Sequence, residues 1–437
     1  MVAKPAAPAA PAAKTLACTS CGASLTVRAP GHTVSVACSA CGAVLDAQDP
    51  DFTVIAKYEQ KTKIKPDIPL GSRGKLRNEM YEVIGFLVRR IKVEGVYYSW
   101  REFLLFNPYL GMRWLTEYAG HWVFAKAVSG RPQKNPDTTV TYLGATFRHF
   151  QTAMAEVAYV LGEFPWRAKV GETAEVSDYV DPPRVLSSEK TAEETTWSIG
   201  DHIEGAYLWE AFNLKGEPPV ARGVGIAQPS PYEPQARPMR RMFWGFLGAA
   251  VLIQVVFSIL AQGKLVFEQT FAFDRTRANA AVVTEPFELG GRRSNVQIDI
   301  RTDLSNNWAY FNLALINEQT GRALNFGRNV EYYFGRDSDG SWSEGAKWDR
   351  VYLPSIESGR YYLLIEPETG AAQFTYAVEV RRDVTRSSYL WYVLGLLVIP
   401  MLIFWYRKRS FEYKRWAESD HPMWSVSDMA SDDDDDD

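Results

Sequence analysis

Two stretches of the chain are apolar all round, at residues 242–261 and 389–406. The first carries no formal charge, and Gln254 is its most polar side chain. About 20 helical residues span about 30 Å, the thickness of the hydrocarbon core of a bilayer. The second has Tyr and Trp rings at both ends, where the headgroup zone favours them. Both stretches are predicted to be transmembrane helices. A buried core helix is the alternative, but such a helix normally shows one polar face.

Between these stretches, residues 263–386 alternate apolar and polar positions, as strands do. Val296, Ile298 and Ile300 are predicted to face one way, while their polar neighbours face the other. Clusters of turn-forming residues punctuate the run, so we expect an antiparallel β-sandwich. Asp337 and Asp339 could bind calcium, but a plain turn is favoured because the other ligands of a calcium loop are missing.

The segments before and after the two stretches differ in composition. Residues 52–214 show mostly short strands with one or two helical stretches, which predicts a β-rich module. Residues 215–241 are rich in Pro and Gly and are interpreted as a linker. The Pro/Ala run within 1–16 predicts a disordered lead-in, and 407–437 ends in six adjacent aspartates, which predicts a solvated acidic tail. The fold class expected for the whole chain is mainly β.

The flanking cations predict the orientation of the two helices, since cations stay with the cytoplasmic leaflet during insertion. Cations before the first stretch and after the second outnumber those between them. They are Arg237, Arg240, Arg241, Arg407, Lys408, Arg409, Lys414 and Arg415, against Lys264, Arg275, Arg381, Arg382 and Arg386. All the cysteines lie before residue 42, and thiols that bind metal need a reducing compartment. Both termini are therefore expected in the cytoplasm, with residues 263–386 outside it.

The strongest chemical signal is a pair of Cys-x-x-Cys-Gly turns, at Cys18 and Cys21 and at Cys38 and Cys41. Two residues between thiolates let one tight turn present both sulfurs to one ion, and two turns complete a tetrahedral shell. Residues 17–46 resemble a zinc ribbon, so a structural Zn²⁺ is expected on these four cysteines. A redox dithiol is the alternative.

Charge argues against nucleic acid as a partner. The net charge is −4, and the predicted ribbon offers only Arg28 and His32 as basic groups. Phosphate contacts need clustered Lys and Arg, so no nucleic-acid binding is expected. A run of lysines after the ribbon is interpreted as a solvated surface, with a patch for phosphate-bearing lipid as the sharper alternative. These lysines are Lys57, Lys61, Lys63, Lys65 and Lys75.

Residues from about 66 to 211 carry a set of aromatic and turn motifs. They are Tyr81-Glu-Val-Ile-Gly85, Tyr98-Ser-Trp100-Arg-Glu102, Trp114, Trp122, Gly162-Glu-Phe-Pro-Trp166, Asp178-Tyr-Val-Asp-Pro-Pro183 and Glu194-Thr-Thr-Trp197. This segment resembles the uncharacterised family known as domain of unknown function 4178. The resemblance implies a bacterial protein, since members are often bacterial and often carry ribbons or membrane spans. It also implies a genomic context of polyamine synthesis and membrane stress, but no mechanism.

No catalytic motif accompanies the titratable residues, and no catalytic residue is predicted. The residues considered for acid/base chemistry are His121, His149, His202, Glu102, Glu163 and Asp178. The faces of Trp100, Trp114 and Trp166 suit a small cation such as a polyamine, although packing in the core is the more ordinary role for such rings.

The hypothesis from the sequence is a non-enzymatic scaffold or sensor in the bacterial inner membrane, with lipid and protein partners, acting in envelope maintenance or stress. Gln254 and Ser258 share one helical face and could make contacts between helices. Two alternatives stay open. One is a polyamine-linked enzyme or small-cation-binding protein, and the other is a ribbon-based regulator that binds nucleic acid.

Overall fold

The computed structural model describes residues 13–57, 64–136, 138–276, 281–338 and 340–423. Most of these residues lie in strands, so the chain is mainly β as expected. The chain divides into two compact units, Met1–Pro238 with Leu402–Asp437, and Met239–Met401. Some predicted features lie outside the described residues, namely most of the lead-in at 1–16, Lys61, Lys63, Asp339 and the six terminal aspartates.

The first unit begins with five short strands. β1 (Lys14–Ala17) and β2 (Ser24–Val27) form a separate antiparallel pair. β3 (Ser35–Ala37), β4 (Ala43–Asp46) and β5 (Val54–Lys57) instead belong to a fourteen-stranded sheet that also contains the rest of the module. The predicted ribbon is therefore joined to the module through shared backbone hydrogen bonds.

The remaining strands of this unit form a β-barrel. They are β6 (Arg73–Leu76), β7 (Glu79–Val93), β8 (Val96–Asn107), β9 (Gly111–Tyr118), β10 (His121–Ala127), β11 (Gln133–Lys134), β12 (Thr139–Tyr142), β13 (Ala145–Phe164), β14 (Thr173–Asp181), β15 (Arg184–Lys190) and β16 (Thr195–Ile203). The order β7-β8-β9-β10-β16-β15-β14-β13 closes because β13 pairs back onto β7, and every pair is antiparallel. A closed ring leaves no open edge among these eight strands.

Several strands are much longer than the short strands predicted from the sequence. β7 has 15 residues and β13 has 20. β-Bulges interrupt their pairing between Val83 and Gly85 and between Val157 and Tyr159. A bulge adds one residue and shifts the two-residue alternation, so one bent strand has the pattern of two short ones.

Ring closure depends on two glycines that pair across β7 and β13. Gly162 has a φ of 87°, and a Cβ there would lie 2.3 Å from the carbonyl oxygen of Ile84. A Cβ on Gly85 would lie 2.5 Å from the carbonyl oxygen of Glu163. No side chain fits at either distance, so both positions require glycine.

A short helix and the segment after it pack on the barrel. Helix α1 (Gly205–Ala211) places Leu208 and Trp209 in the same buried cluster as Trp122 of β10. The following segment, residues 215–241, is predicted from the sequence to be a linker. In the structure, the Arg222 amide donates to the Ala119 carbonyl at 2.8 Å, and Ala227 is buried. This part of the chain therefore lies on the barrel because its backbone polar groups find partners there.

Helix α2 (Glu233–Leu260) and helix α3 (Ser388–Trp416) contain the two apolar stretches. Both are long and apolar enough to cross a membrane, and neither apolar stretch is buried in the protein. Each helix extends well beyond the predicted span, α2 at its start and α3 at its end. The extensions carry charged residues; most of them are exposed or half-buried, and Arg415 near the end of α3 is buried.

The described residues of the second unit form ten strands in two antiparallel sheets. They are β17 (Lys264–Asp274), β18 (Val282–Val283), β19 (Phe287–Leu289), β20 (Ser294–Thr302), β21 (Asn307–Asn317), β22 (Ala323–Asp337), β23 (Gly340–Ala346), β24 (Trp348–Ile356), β25 (Gly359–Thr369) and β26 (Gln373–Arg382). One sheet has the order β17-β26-β20-β24 and the other β18-β25-β21-β22-β23, with β19 beside β25. Residues from both sheets meet in one hydrophobic cluster.

The alternation predicted in β20 is correct on one face and incomplete on the other. Val296, Ile298 and Ile300 are buried in the shared cluster. Their polar neighbours Gln297 and Asp299, predicted to face the other way, are buried as well. Asp299 is paired with Arg350 of β24 at 2.5 Å, and the Gln297 amide donates to Asp299 at 2.7 Å. The ion pair lets a charge occupy a position that the sequence pattern assigned to water.

Candidate metal centre

The four cysteines come together at two nearly identical turns. The turn after β1 carries Cys18 and Cys21, and the Gly22 amide donates to the Cys18 carbonyl at 2.8 Å. The turn between β3 and β4 carries Cys38 and Cys41, and the Gly42 amide donates to the Cys38 carbonyl at 2.9 Å. Gly22 and Gly42 have φ angles of 74° and 72°, which glycine adopts without strain. Each turn therefore presents two sulfurs in the same way.

The spacing of the sulfurs fits one metal ion. Cys18 Sγ lies 3.8 Å from Cys41 Sγ, and Cys21 Sγ lies 3.8 Å from Cys38 Sγ. All four sulfurs lie within 4.8 Å of one another. Four thiolates at about 2.3 Å from a tetrahedral zinc ion would be about 3.8 Å apart. The cysteines can therefore hold a metal ion, as the sequence predicted, and they form one site that joins both turns.

Burial of the cysteine sulfurs favours the binding of a cation. Cys38 is fully buried, and burial raises the pKa of its thiol to about 12. A thiolate there is costly without a positive charge, and a bound divalent metal would supply that charge and release the proton. Among the described residues, these cysteines are the one cluster of three or more metal-capable side chains within such distances.

Glu163 of β13 fixes the ribbon to the barrel. It is fully buried, and its carboxylate accepts hydrogen bonds from the amides of Arg28 and Ala29, at 2.7 and 3.0 Å, and from the Thr33 hydroxyl at 2.9 Å. Burial raises the pKa of Glu163, and the amides of Ala29 and Arg28 oppose the rise. Glu163 was considered for acid/base chemistry, but its oxygens are taken up by the loop between β2 and β3.

Glu102 and Asp178 belong to a second polar cluster, around Arg89. The Arg89 guanidinium donates to Glu189 at 2.6 and 2.9 Å and lies 3.8 Å from Glu102. The Trp100 indole donates to Glu102 at 2.6 Å, and the Ser187 hydroxyl donates to Asp178 at 2.6 Å. Burial raises the pKa of both Glu102 and Asp178. The strands holding these groups are far apart in sequence, so no motif could have predicted the cluster.

The histidines considered for catalysis lie at two other places. His121 and His202 are neighbours, with ring centroids 6.4 Å apart, and His121 Nε2 lies 3.1 Å from the Arg222 carbonyl oxygen. His149 instead contacts His421, as described below. Trp114 and Trp166 pack at the edge of a buried cluster, which is the ordinary role weighed for them. The residues considered for acid/base chemistry are therefore divided among four separate places.

A contact that the sequence did not reveal attaches the end of α3 to the barrel. The Arg415 side chain is completely buried and donates to the carbonyl oxygens of Gly225, Ile226 and Gln228 at 3.0, 2.8 and 2.6 Å. The next residue, Trp416, packs on Phe150 of β13 with ring centroids 5.4 Å apart. The sequence identifies Arg415 only as a cation that sets membrane orientation. It gives no sign of the buried contact, because the carbonyl groups that Arg415 binds are distant in sequence.

The residues after α3 continue along the same part of the barrel. We call residues 415–423 the C-terminal segment. The Asp420 amide donates to the Phe150 carbonyl at 2.8 Å, and the Asp420 carboxylate accepts from the Thr152 amide at 2.8 Å. His149 Nδ1 lies 3.0 Å from His421 Nε2. The predicted acidic tail therefore begins as the end of α3, and residues 416–421 within it contact the barrel.

The histidine pair predicts that attachment of the C-terminal segment depends on pH. Burial lowers the pKa of His149, and His421 and Lys134 add to this, while Asp420 and Asp178 oppose it. Because the attached state lowers the pKa, attachment is most favourable above the usual imidazole pKa of about 6.5 and weakens as pH falls through the lowered value.

We expect amide hydrogen exchange in residues 415–423, corrected for intrinsic rates, to be slower at pH 7.5 than at pH 5.5. His149→Gln should remove most of this difference because the glutamine side chain cannot be protonated. The neighbouring ring of Tyr179 is uncharged in this range. Equal protection at both pH values in the unmodified chain would contradict the prediction.

Comparisons with known proteins add little to the geometry. No curated protein matches the chain. Two solved structures from infectious bursal disease virus, of the Gt and Gx strains, are 10% and 11% identical, cover 80% and 81% of this chain, and have TM-scores of 0.18 and 0.16. The Cry4Aa toxin from Bacillus thuringiensis is 7% identical over 72% of this chain, with a TM-score of 0.15. The chain spans 66%, 66% and 54% of those chains, and similarities this low carry no argument.

A family model matches the barrel. The match covers residues 69–205, which contain every strand from β6 to β16, and it agrees with the resemblance drawn from the aromatic and turn motifs. The description of the family names no activity, substrate or partner. Residues 69–205 of this chain thus match the family model described as Domain of unknown function (DUF4178).

Proposed function

We propose that the chain is a non-enzymatic, membrane-anchored scaffold or sensor of the bacterial envelope. In this proposal α2 and α3 cross the inner membrane, and the ribbon and barrel lie in the cytoplasm with both termini. The two sheets of the second unit form a β-sandwich on the other side. The length and apolar surface of both helices and the excess of cations on the barrel side support this arrangement.

The observation that carries the proposal is the attachment of α3 to the barrel. Arg415 loses its hydration on burial and is stabilised by three carbonyl groups, so detaching it would leave those carbonyls without their partner. Trp416 adds an apolar anchor beside it. A movement of α3 would therefore be transmitted to β13 and β14 of the barrel. Such a rigid connection suits a protein that reports on, or organises, partners at the membrane.

In this proposal the metal is a structural Zn²⁺. Four thiolates fill a tetrahedral shell and leave no open position for substrate, so the site would hold the ribbon together and take no part in a reaction. The ribbon is in turn bound to β13 through β3 and Glu163. The zinc site would thereby stabilise one end of the same strand that contacts the C-terminal segment at its other end.

The test is affinity purification in mild detergent. We expect the intact chain to recover specific partner proteins, and a chain lacking residues 263–386 to lose those that bind the second unit. Arg415→Ala is the matched control, because it leaves that unit unchanged and should keep its partners. Recovery of the same proteins from all three chains would contradict the proposal that the second unit binds partner proteins. Turnover of a polyamine by the purified chain, lost in Glu102→Gln, would favour the enzyme alternative.

A further inference from the structure

The β7–β8 hairpin extends beyond the barrel as a two-stranded arm. Pairing of β13 with β7 ends at Arg89, and pairing of β9 with β8 begins at Arg101. Residues 90–93 and 96–99 pair only with one another. Four residue pairs at about 3.3 Å each make an arm about 13 Å long. An isolated two-stranded hairpin is only marginally stable in water, so this arm would gain from a surface to rest on.

The antiparallel ring places the arm at a known end of the barrel. Successive strands run in opposite directions, so the β7–β8, β9–β10 and β14–β15 turns and the start of β13 all lie at one rim. The β8–β9 turn, which contains Leu110, lies at the opposite rim. We call the first of these the arm rim.

Helix α3 joins the barrel at the arm rim. Trp416 and Asp420 contact Phe150 near the start of β13, and Val180 near the end of β14 belongs to the same buried cluster. Tyr118, at the end of β9, has its pKa raised by burial and by the Glu418 carboxylate. The segment before α2 reaches this rim too, since Arg222 bonds to Ala119 in the β9–β10 turn. Both apolar helices therefore connect to the barrel at the rim from which the arm projects.

The tip of the arm has the composition of a membrane interface. Val93, Val96, Tyr97 and Tyr98 are 42 to 55% exposed, an unusual cluster for a surface turn. The Lys92 ammonium lies 5.5 Å from the centre of the Tyr97 ring. Arg90, nearer the barrel, has its guanidinium 4.5 Å from that ring and donates to the Glu156 carboxylate of β13 at 3.0 Å. Aliphatic side chains favour the acyl boundary, Tyr rings favour the headgroup level, and Lys and Arg favour lipid phosphates. Glu94, in the turn itself, is the one acidic residue of the tip.

We propose that the tip of this arm enters the headgroup region of the bilayer that α2 and α3 cross. The lengths agree. The apolar part of α3 ends at Tyr406, and the ten residues 407–416 reach about 15 Å to the rim, while the arm extends about 13 Å back from it. The inference rests on the proposed membrane crossing. It adds a second contact between barrel and lipid, which would hold the barrel at a set height and orientation.

The test places a fluorescent probe on a single introduced cysteine in the full chain, with the native thiols occupied by zinc and labelling checked by mass spectrometry. The protein is reconstituted in nanodiscs of phosphatidylcholine and phosphatidylglycerol. Three positions are compared, all exposed in the structure: Val96→Cys in the arm, Leu110→Cys at the opposite rim, and Leu396→Cys in α3. Quenching is measured with lipids carrying a nitroxide at shallow or deep positions, and with iodide in water.

We expect the Val96 probe to be quenched by shallow nitroxides several-fold more strongly than the Leu110 probe, and to be several-fold less sensitive to iodide. A Val96 probe as open to iodide as the Leu110 probe, with the Leu396 probe quenched by deep nitroxides, would overturn this inference and leave the membrane crossing intact. Lack of deep quenching at Leu396 would overturn the membrane crossing itself, and the inference with it.

Discussion

Replacement of Cys38 by serine is expected to release the metal from the ribbon and unfold residues 14–46. Cys38 is fully buried between β3 and β4, and its sulfur lies 3.8 Å from that of Cys21. Structural zinc contributes about 10–16 kcal/mol in small zinc domains, and a serine oxygen replaces a thiolate poorly. With only three sulfurs, the apolar residues of the ribbon are too few to keep it folded.

Metal analysis of the purified chain should show about one zinc per chain before the change and close to none after it. Trypsin should then cut at Arg28, which is half-buried in the intact fold. Ser39→Ala is the matched control, since Ser39 lies in the same turn with its side chain in solvent. Full zinc content in the Cys38→Ser protein would show that the four sulfurs do not form the metal site.

Replacement of Glu163 by alanine is expected to detach the ribbon from the barrel while leaving its metal bound. The change removes the acceptor for the amides of Arg28 and Ala29 and for the Thr33 hydroxyl, in a fully buried place. Each buried donor left unpaired costs about 1–3 kcal/mol, so we expect a loss of about 3–5 kcal/mol in local stability. At about 1.4 kcal/mol per factor of ten, exchange of the Arg28 and Ala29 amides should accelerate by about 100-fold or more.

Two variants make this measurement specific. Glu163→Gln keeps one acceptor oxygen but turns an NH₂ group toward the donors, so it should fall between the alanine variant and the unmodified chain. Glu175→Ala, on β14, removes an exposed partner of Lys190 and should change stability by less than about 1 kcal/mol. Unchanged amide exchange in Glu163→Ala would show that the ribbon is held by β3 alone.

The site of the four cysteines shows how far local pattern can predict a site. The cysteine spacing and the glycines after each pair predicted both turns, because a tight turn is determined by residues next to one another. The aromatic motifs of the barrel were likewise sufficient to indicate its family. Neither pattern predicted that β3 pairs with β13, since that pairing joins residues more than a hundred positions apart.

The long strands of the barrel and strand β20 show where the pattern of apolar and polar residues is misleading. The sequence predicted mostly short strands within 52–214, with one or two helical stretches, but bulges shifted the phase of the alternation, so that long bent strands had the pattern of short ones. Closure into a barrel depended on the approach of Gly85 to Gly162, and the motifs that contain these glycines do not indicate that the two residues meet. In β20, the burial of Asp299 depended on Arg350 from a strand further along the chain.

The sequence by itself therefore determined the cysteine turns, the two apolar helices, the predominance of strands and the family of the barrel. These depend on neighbouring residues, on composition or on motifs in order along the chain. The tertiary structure alone decided the barrel closure, the buried role of Glu163, the cluster around Arg89 and the attachment of α3 through Arg415. Each of these joins groups distant in sequence, where burial turns an ordinary charged residue into a partner that the fold requires.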